Sequence, residues 1–240
     1  MNFLLLDTAD TRGCIALFHD AELLHVEPHP VEEEFSSWLL PAVNSSLRQN
    51  GLSLADLDGY AVCSGPGSFT GLRVGLTTVK AWAEIYAKPI AAVSRLEALA
   101  AGEVGSVKSH APFTAVFLDA RRGQVFAALY DHSACAVEPE TVIGLETFLS
   151  QADRLCNSVP ILWKSPDPHM LEALPDWPAR QAKGDRVGRI QPPFAVQLGA
   201  LAHDKFLHGQ ITDALTLDAN YVRRSDAELF WKDHASAVKA

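Results

Sequence analysis

Of the 240 residues, 48% are apolar, 20% charged and 8% aromatic, the make-up of an ordinary globular chain long enough for one large domain or two packed lobes. Twenty Lys and Arg stand against 29 Asp and Glu, a formal charge of -9, the reverse of the basic footprint of a stand-alone nucleic-acid binder. No apolar run approaches the ~20 residues that cross a bilayer, and the apolar start 3–6 is interrupted by Asp7, Asp10 and Arg12 before it can serve as a signal-peptide core, so no membrane partner and a cytoplasmic location are expected.

Residues 3–6, 13–18 and 22–26 read as three short strands joined by turns. From Phe35 the apolar positions Phe35, Trp38, Leu39, Ala42, Val43 and Leu47 follow one helix face, kinked early by Pro41 and ended by Gly51. A strand at 59–63, a glycine-rich loop, a long helix over 70–86 and a strand at 90–93 make a β-loop-α-β unit. The small, polar stretch 102–112 reads as a junction, after which strands are expected again at 114–118, 124–130 and 134–142, then a helix at 145–149 and a strand at 160–163. The Pro-rich stretch 166–178 reads as an irregular excursion. A last helix is opened by Pro192 and Pro193, lined by Phe194, Leu198, Leu201, Ala202 and Phe206, and closed by Gly209. Asp7 followed by Ala16-Leu17-Phe18 recurs as Asp119 followed by Ala128-Leu129-Tyr130, a weak internal repeat. A three-strand meander followed by helix-strand-helix units, occurring twice, is the plan of a duplicated RNase H-like α/β fold of two lobes, the architecture of actin-like ATPases (the ASKHA fold), divided here as 1–105 and 106–240.

The sharpest local signal is the glycine loop from Gly65 to Gly75. Between a strand and a helix, Gly65, Gly67 and Ser68 can bring backbone N–H groups up to a phosphate, with Asp7 of the first turn as a companion nucleotide-binding candidate. The loop is too short for a Walker A, no Lys follows Gly71, and the glycine spacing misses the dinucleotide fingerprint. A tight turn with Ser68 or Thr70 as N-cap is the plainer account, and Asp7 reads at least as well as a strand-end residue capping a turn. In the first turn, Asp10 brings negative charge to the place where a triphosphate would sit, so ATP binding by this chain is expected to be weak. His25 and His29 have metal-pair spacing, but Pro28 and Pro30 disfavour the helix that would align them, and no catalytic residue and no metal site is assigned. The cysteines Cys14, Cys63, Cys135 and Cys156 lack paired spacing and read as buried thiols, and Arg180, Lys183, Arg186 and Arg189 read as a solvated loop, with an anion or RNA contact as the alternative.

The segments 4–8, 65–75, 93–99 and 119–122 and the tail 221–228 together resemble the TsaB (YeaZ) family of tRNA threonylcarbamoyladenosine synthesis. The resemblance implies a non-catalytic, actin-like-fold scaffold without a cofactor of its own. It would form a heterodimer with the TsaD transferase, which acts on adenosine 37 of tRNAs reading codons that begin with A. A TsaE-like ATPase joins the pair, ATP and a metal ion sit on the partners, tRNA is reached only through the complex, and a homodimer of the free chain stays open. Many family members carry a His where this chain has Phe35, so any polar role of that His is absent. In the helix after the glycine loop, Gly71, Leu72, Gly75, Leu76, Val79 and Trp82 form a stripe of very small and large apolar residues. Such a stripe packs either inside the chain or, as the resemblance implies, against the partner's equivalent helix. The competing classes are a stand-alone ATP-dependent kinase of this fold and a metalloprotease-like enzyme.

Overall fold

The computed structural model describes residues 1–102 and 111–223. The junction at 103–110, with the 105/106 lobe boundary, and the tail residues 224–228 lie outside the described residues. Two five-stranded sheets share one topology. In the first, β1 (Asn2–Asp7), β2 (Cys14–His19) and β3 (Glu22–Pro28) form an antiparallel meander, and β4 (Gly59–Gly65) and β5 (Ile90–Ser94) add parallel strands beside β1. The order β3-β2-β1-β4-β5 is repeated as β8-β7-β6-β9-β10, from β6 (Phe113–Asp119), β7 (Gln124–Asp131), β8 (Thr141–Gly144), β9 (Ile161–Ser165) and β10 (Arg186–Arg189), with the same parallel and antiparallel pairings. Asp7 and Asp119 close the equivalent strands β1 and β6, so the internal repeat is the duplication of a lobe.

The helices complete five layers. On the outer face of the first sheet lie α1 (Phe35–Gln49) and α2 (Phe69–Tyr86); on that of the second lie α4 (Leu145–Leu155), α5 (His169–Glu172) and α6 (Trp177–Lys183). Between the sheets run α3 (Arg95–Ala101) and α7 (Ala195–Leu207). Side chains alternate accordingly: Phe3 and Leu5 enter the central core while Leu4 and Leu6 pack under α1 and α2, and Val116 and Leu118 oppose Ala115 and Phe117 in the same way. Helix α7, from the second half of the chain, packs on β1, β2 and β5 of the first sheet, with Gly199 against the Phe18 ring and Phe206 5.4 Å from Phe3 between ring centroids.

The helices expected at 35–51, 70–86 and after Pro193 stand, and α1 continues through Pro41. Several expectations are corrected. Residues 134–140 are not part of a strand, and the Pro-rich excursion holds α5 and the start of α6; the 95–101 segment, unassigned from the sequence, is a helix. Cys135 is exposed while the other three cysteines are buried. Arg180 is not solvated: it pairs with Asp185 (Nη1 to Oδ2, 3.1 Å) and Asp153 and lies over the Trp163 ring.

Candidate functional site

The ends of β1 and β6 face each other across a cleft between the lobes, a cavity of 670 Å³. Its walls are the β1–β2 turn, the β6–β7 turn, the glycine loop leading into α2, the first residue of α3, and the last four residues of a strap at 211–223. The strap pairs Thr212 with Ile90, anchors Asn220 N on Ser64 O (2.8 Å), and ends with Arg223 Nη2 donating to Gln124 Oε1 of β7 (2.7 Å).

Each of the four nucleotide-binding candidates is committed to the chain itself. Asp7 is fully buried; its Oδ1 accepts from Ala9 N at 3.1 Å and its Oδ2 lies 3.4 Å from Arg95 Nε, so it caps its turn and neutralises a buried arginine. Gly67 is glycine because a Cβ there would meet Ala9 O at 2.2 Å, and the N–H of Ser68 is spent on that same carbonyl at 2.7 Å. Ser68 Oγ accepts from Gly71 N as the α2 N-cap, and Gly65, at φ +124°, packs on the Asn220 carbonyl. The loop is a device for close approach of two backbones. The N–H of Ser68 is already used within the chain, and Asp10 reaches into the cleft with a carboxylate.

The charges form a chain across the cleft. Arg95, 2% exposed, stands between Asp7 and Asp10 (Nη1 to Asp10 Oδ2, 3.7 Å), and Arg12 links Asp10 (2.9 Å) to Asp167 beyond β9 (3.0 Å), tying one lobe to the other. Burial pushes the Asp10 carboxyl up, but Arg95 and Arg12 outweigh it and hold it at about 2. Arg121, Arg122 and Arg223 line the opposite wall with Asp119.

The six stripe residues proved to be core. Gly71, Leu72, Gly75, Leu76, Val79 and Trp82 are all buried, on the α2 face turned to the sheet. A Cβ on Gly71 would meet Thr8 O at 2.1 Å, and one on Gly75 would meet Thr8 Oγ1 at 2.4 Å. The expectation of a partner-facing stripe is therefore corrected: the small residues admit the β1–β2 turn of the same chain. In its first half α2 shows outward Phe69, Thr70, Arg73 and Thr77, which with Ser36, Leu39 and Leu40 of α1 line a groove of 510 Å³. Leu40 is 50% and Phe69 37% exposed. Arg73 lies 3.8 Å over the Phe69 ring and donates from Nε to Tyr221 Oη (3.2 Å), so Phe69 borders both groove and cleft. Phe35 stacks on His29, with 3.8 Å between centroids, which makes it a packing residue beside the groove.

Sequence reasoning passed over Arg95, Arg12, Asp167 and the outward groove. The signal for Arg95 was present, an arginine inside the apolar run Val93-Ser94-Arg95-Leu96, where only a paired charge is tolerated.

Residues 23–156 match the family described as TsaD: tRNA N6-adenosine threonylcarbamoyltransferase. Among similar proteins, the tRNA threonylcarbamoyladenosine biosynthesis protein TsaB of Bacillus subtilis is 35% identical over 55% of this chain and 56% of its own length, so the chain spans little more than half of that relative. The TsaB of Escherichia coli is 28% identical over 97% of both chains. A solved structure of a Pseudomonas aeruginosa protein described as similar to peptidase YEAZ superposes with a TM-score of 0.71 at 25% identity, covering 92% of this chain and 99% of that one. The doubled sheet topology, the two-lobed actin-like fold and the match over more than half of its length agree: the chain belongs to the TsaD family and, within it, to the TsaB (YeaZ) proteins.

Proposed function

We propose that the chain is a non-catalytic subunit in the synthesis of threonylcarbamoyladenosine at adenosine 37 of tRNAs reading codons that begin with A, where it pairs with a TsaD-like transferase. The observation that carries this reading is the first-lobe turn, whose polar groups are spent on Arg95, on the α2 loop and on each other. Asp7 lies beside Arg95, and Asp10 is held by both Arg12 and Arg95. A TsaE-like ATPase joins the pair, and ATP and a metal ion belong to those partners; this chain contributes shape. The charge of -9 supports contact with tRNA through the transferase, since a chain of this sign has few phosphate contacts to make.

The transferase docks on the outward α1–α2 groove, beside the glycine loop that opens α2. Without it, the same face can close on a second copy of this chain. Leu40, half exposed at the centre of the α1 side, tests the surface. Leu40→Glu is expected to leave the melting temperature of the free chain unchanged and to weaken binding of the purified TsaD-like partner tenfold or more, about 1.4 kcal/mol. Unchanged affinity moves the interface elsewhere. Transfer of threonylcarbamoyl to tRNA by the isolated chain would overturn the non-catalytic reading itself.

A further inference from the structure

The strap at 211–223 is fixed in two halves. Up to Ala219 it belongs to the first lobe: Thr212 pairs with Ile90 of β5, and Leu217 is buried in the core under α1 and α2. From Asn220 onward it lines the cleft and reaches the second lobe. Asn220 Nδ2 donates at 2.5 Å to Glu140 Oε2, just before β8, and Glu140 Oε1 accepts from Ser94 Oγ at the end of β5. Arg223, besides donating to Gln124 of β7, lies 5.6 Å from the centre of the Phe126 ring on the same strand.

Between those anchors stands Tyr221, whose side chain is held by α2. Its ring lies 5.0 Å from that of Phe69, tilted by 33°, and its Oη accepts from Arg73 Nε. The Arg73 guanidinium in turn covers the Phe69 ring. Phe69 and Arg73 line the α1–α2 groove, whereas Glu140, Asn220 and Tyr221 do not. One pair of side chains thus serves two surfaces. In the free chain this contact is wet, with Tyr221 40% and Phe69 37% exposed, so water competes for the Arg73–Tyr221 hydrogen bond. A partner seated in the groove removes water from around Arg73 and Phe69, and both the hydrogen bond and the cation–π contact strengthen as water leaves.

We propose that the strap is a clasp coupling the two surfaces: docking in the α1–α2 groove fastens Tyr221 onto Phe69 and Arg73 and holds residues 220–223 closed along the interlobe cleft. The inference rests on the docking reading given above and adds a direction to it. Coupling between two sites is reciprocal, so a strap secured at its second-lobe end strengthens docking by the factor by which docking fastens the strap. Glu140 is then a positioning residue for the partner, acting through Asn220 and Tyr221 from outside the groove.

The test follows hydrogen exchange of the strap in the full chain, free and with the purified TsaD-like partner, and measures partner affinity in parallel. Slower strap exchange in the complex is expected. Glu140→Gln and Asn220→Ala chains, shown to be folded by their melting temperatures, should exchange faster in the strap and bind the partner about fivefold more weakly, the low end of couplings between sites. Tyr221→Phe keeps the ring without the hydroxyl, and should cost less affinity in the Glu140→Gln background than in the wild-type chain, because the clasp is already loose. Partner binding with unchanged or faster strap exchange, or with wild-type affinity in both anchor variants, overturns the coupling and leaves the docking reading standing. Wild-type affinity in Leu40→Glu overturns the docking reading, and the coupling with it.

Discussion

At Gly71 and Gly75 the missing side chains are filled by Thr8, whose Oγ1 donates to Gly71 O at 2.7 Å. The two positions should respond differently to a methyl group. At Gly71 the obstacle is the Thr8 carbonyl, part of the backbone; at Gly75 it is the Thr8 hydroxyl, which can rotate at the cost of its hydrogen bond. Overpacking of this kind costs about 1–3 kcal/mol, against a gain of about 1 kcal/mol when Gly becomes Ala inside a helix. Urea unfolding is expected to show a clear loss for Gly71→Ala and a smaller one for Gly75→Ala, with Thr8→Ala restoring part of the second. Equal midpoints for wild type and Gly71→Ala would refute the packing described. The residue pattern predicted small residues meeting a close neighbour; that the neighbour is a turn of the same chain depends on a contact 63 positions distant, which no local pattern carries.

Among the elements, α1, α2 and α7 were legible because each has one buried and one wet face, and the apolar residues then repeat with the helical period. Helix α3 was not. It is clamped between the two sheets, with Arg95, Leu96, Ala98, Leu99 and Ala100 buried, so it has almost no polar face to mark its period. Helices α5 and α6 have four and seven residues, too short for a period, and their prolines read as breakers although one stands in the first turn of α6, where proline is tolerated. The end of α3 is held from the other lobe: Lys164 of β9 is buried and donates through Nζ to the carbonyls of Ala100 and Gly102. Lys164→Met leaves both carbonyls without that donor and should lower stability by about 1–3 kcal/mol. Burial lowers the Lys164 amine to about 8, so between pH 8 and its ordinary range the unfolded chain holds more protons and wild-type stability should rise with pH. Denaturant midpoints across that window decide the point, since the Met variant should lack this rise.

Over the whole molecule, the two lobes are joined by the Asp10–Arg12–Asp167 bridge as well as by packing. Asp10 is held at about 2 against an ordinary value of 3.8, so its contribution is complete above about pH 4 and disappears as the pH falls through 2; the shift corresponds to about 2 kcal/mol. Asp10→Asn should flatten this part of the acid-unfolding curve, and an unchanged acid midpoint would show that the bridge does not stabilise the pair of lobes. Helix α7 has a consequence of another kind, for synthesis on the ribosome. The first sheet is complete by Ser94, yet the aromatic face formed by Phe3 and Phe18 is covered by residues around Gly199 and Phe206. Throughout translation of the intervening hundred or so codons that face stays open to water and to chaperones, and the first lobe acquires its finished core only when α7 has left the exit tunnel.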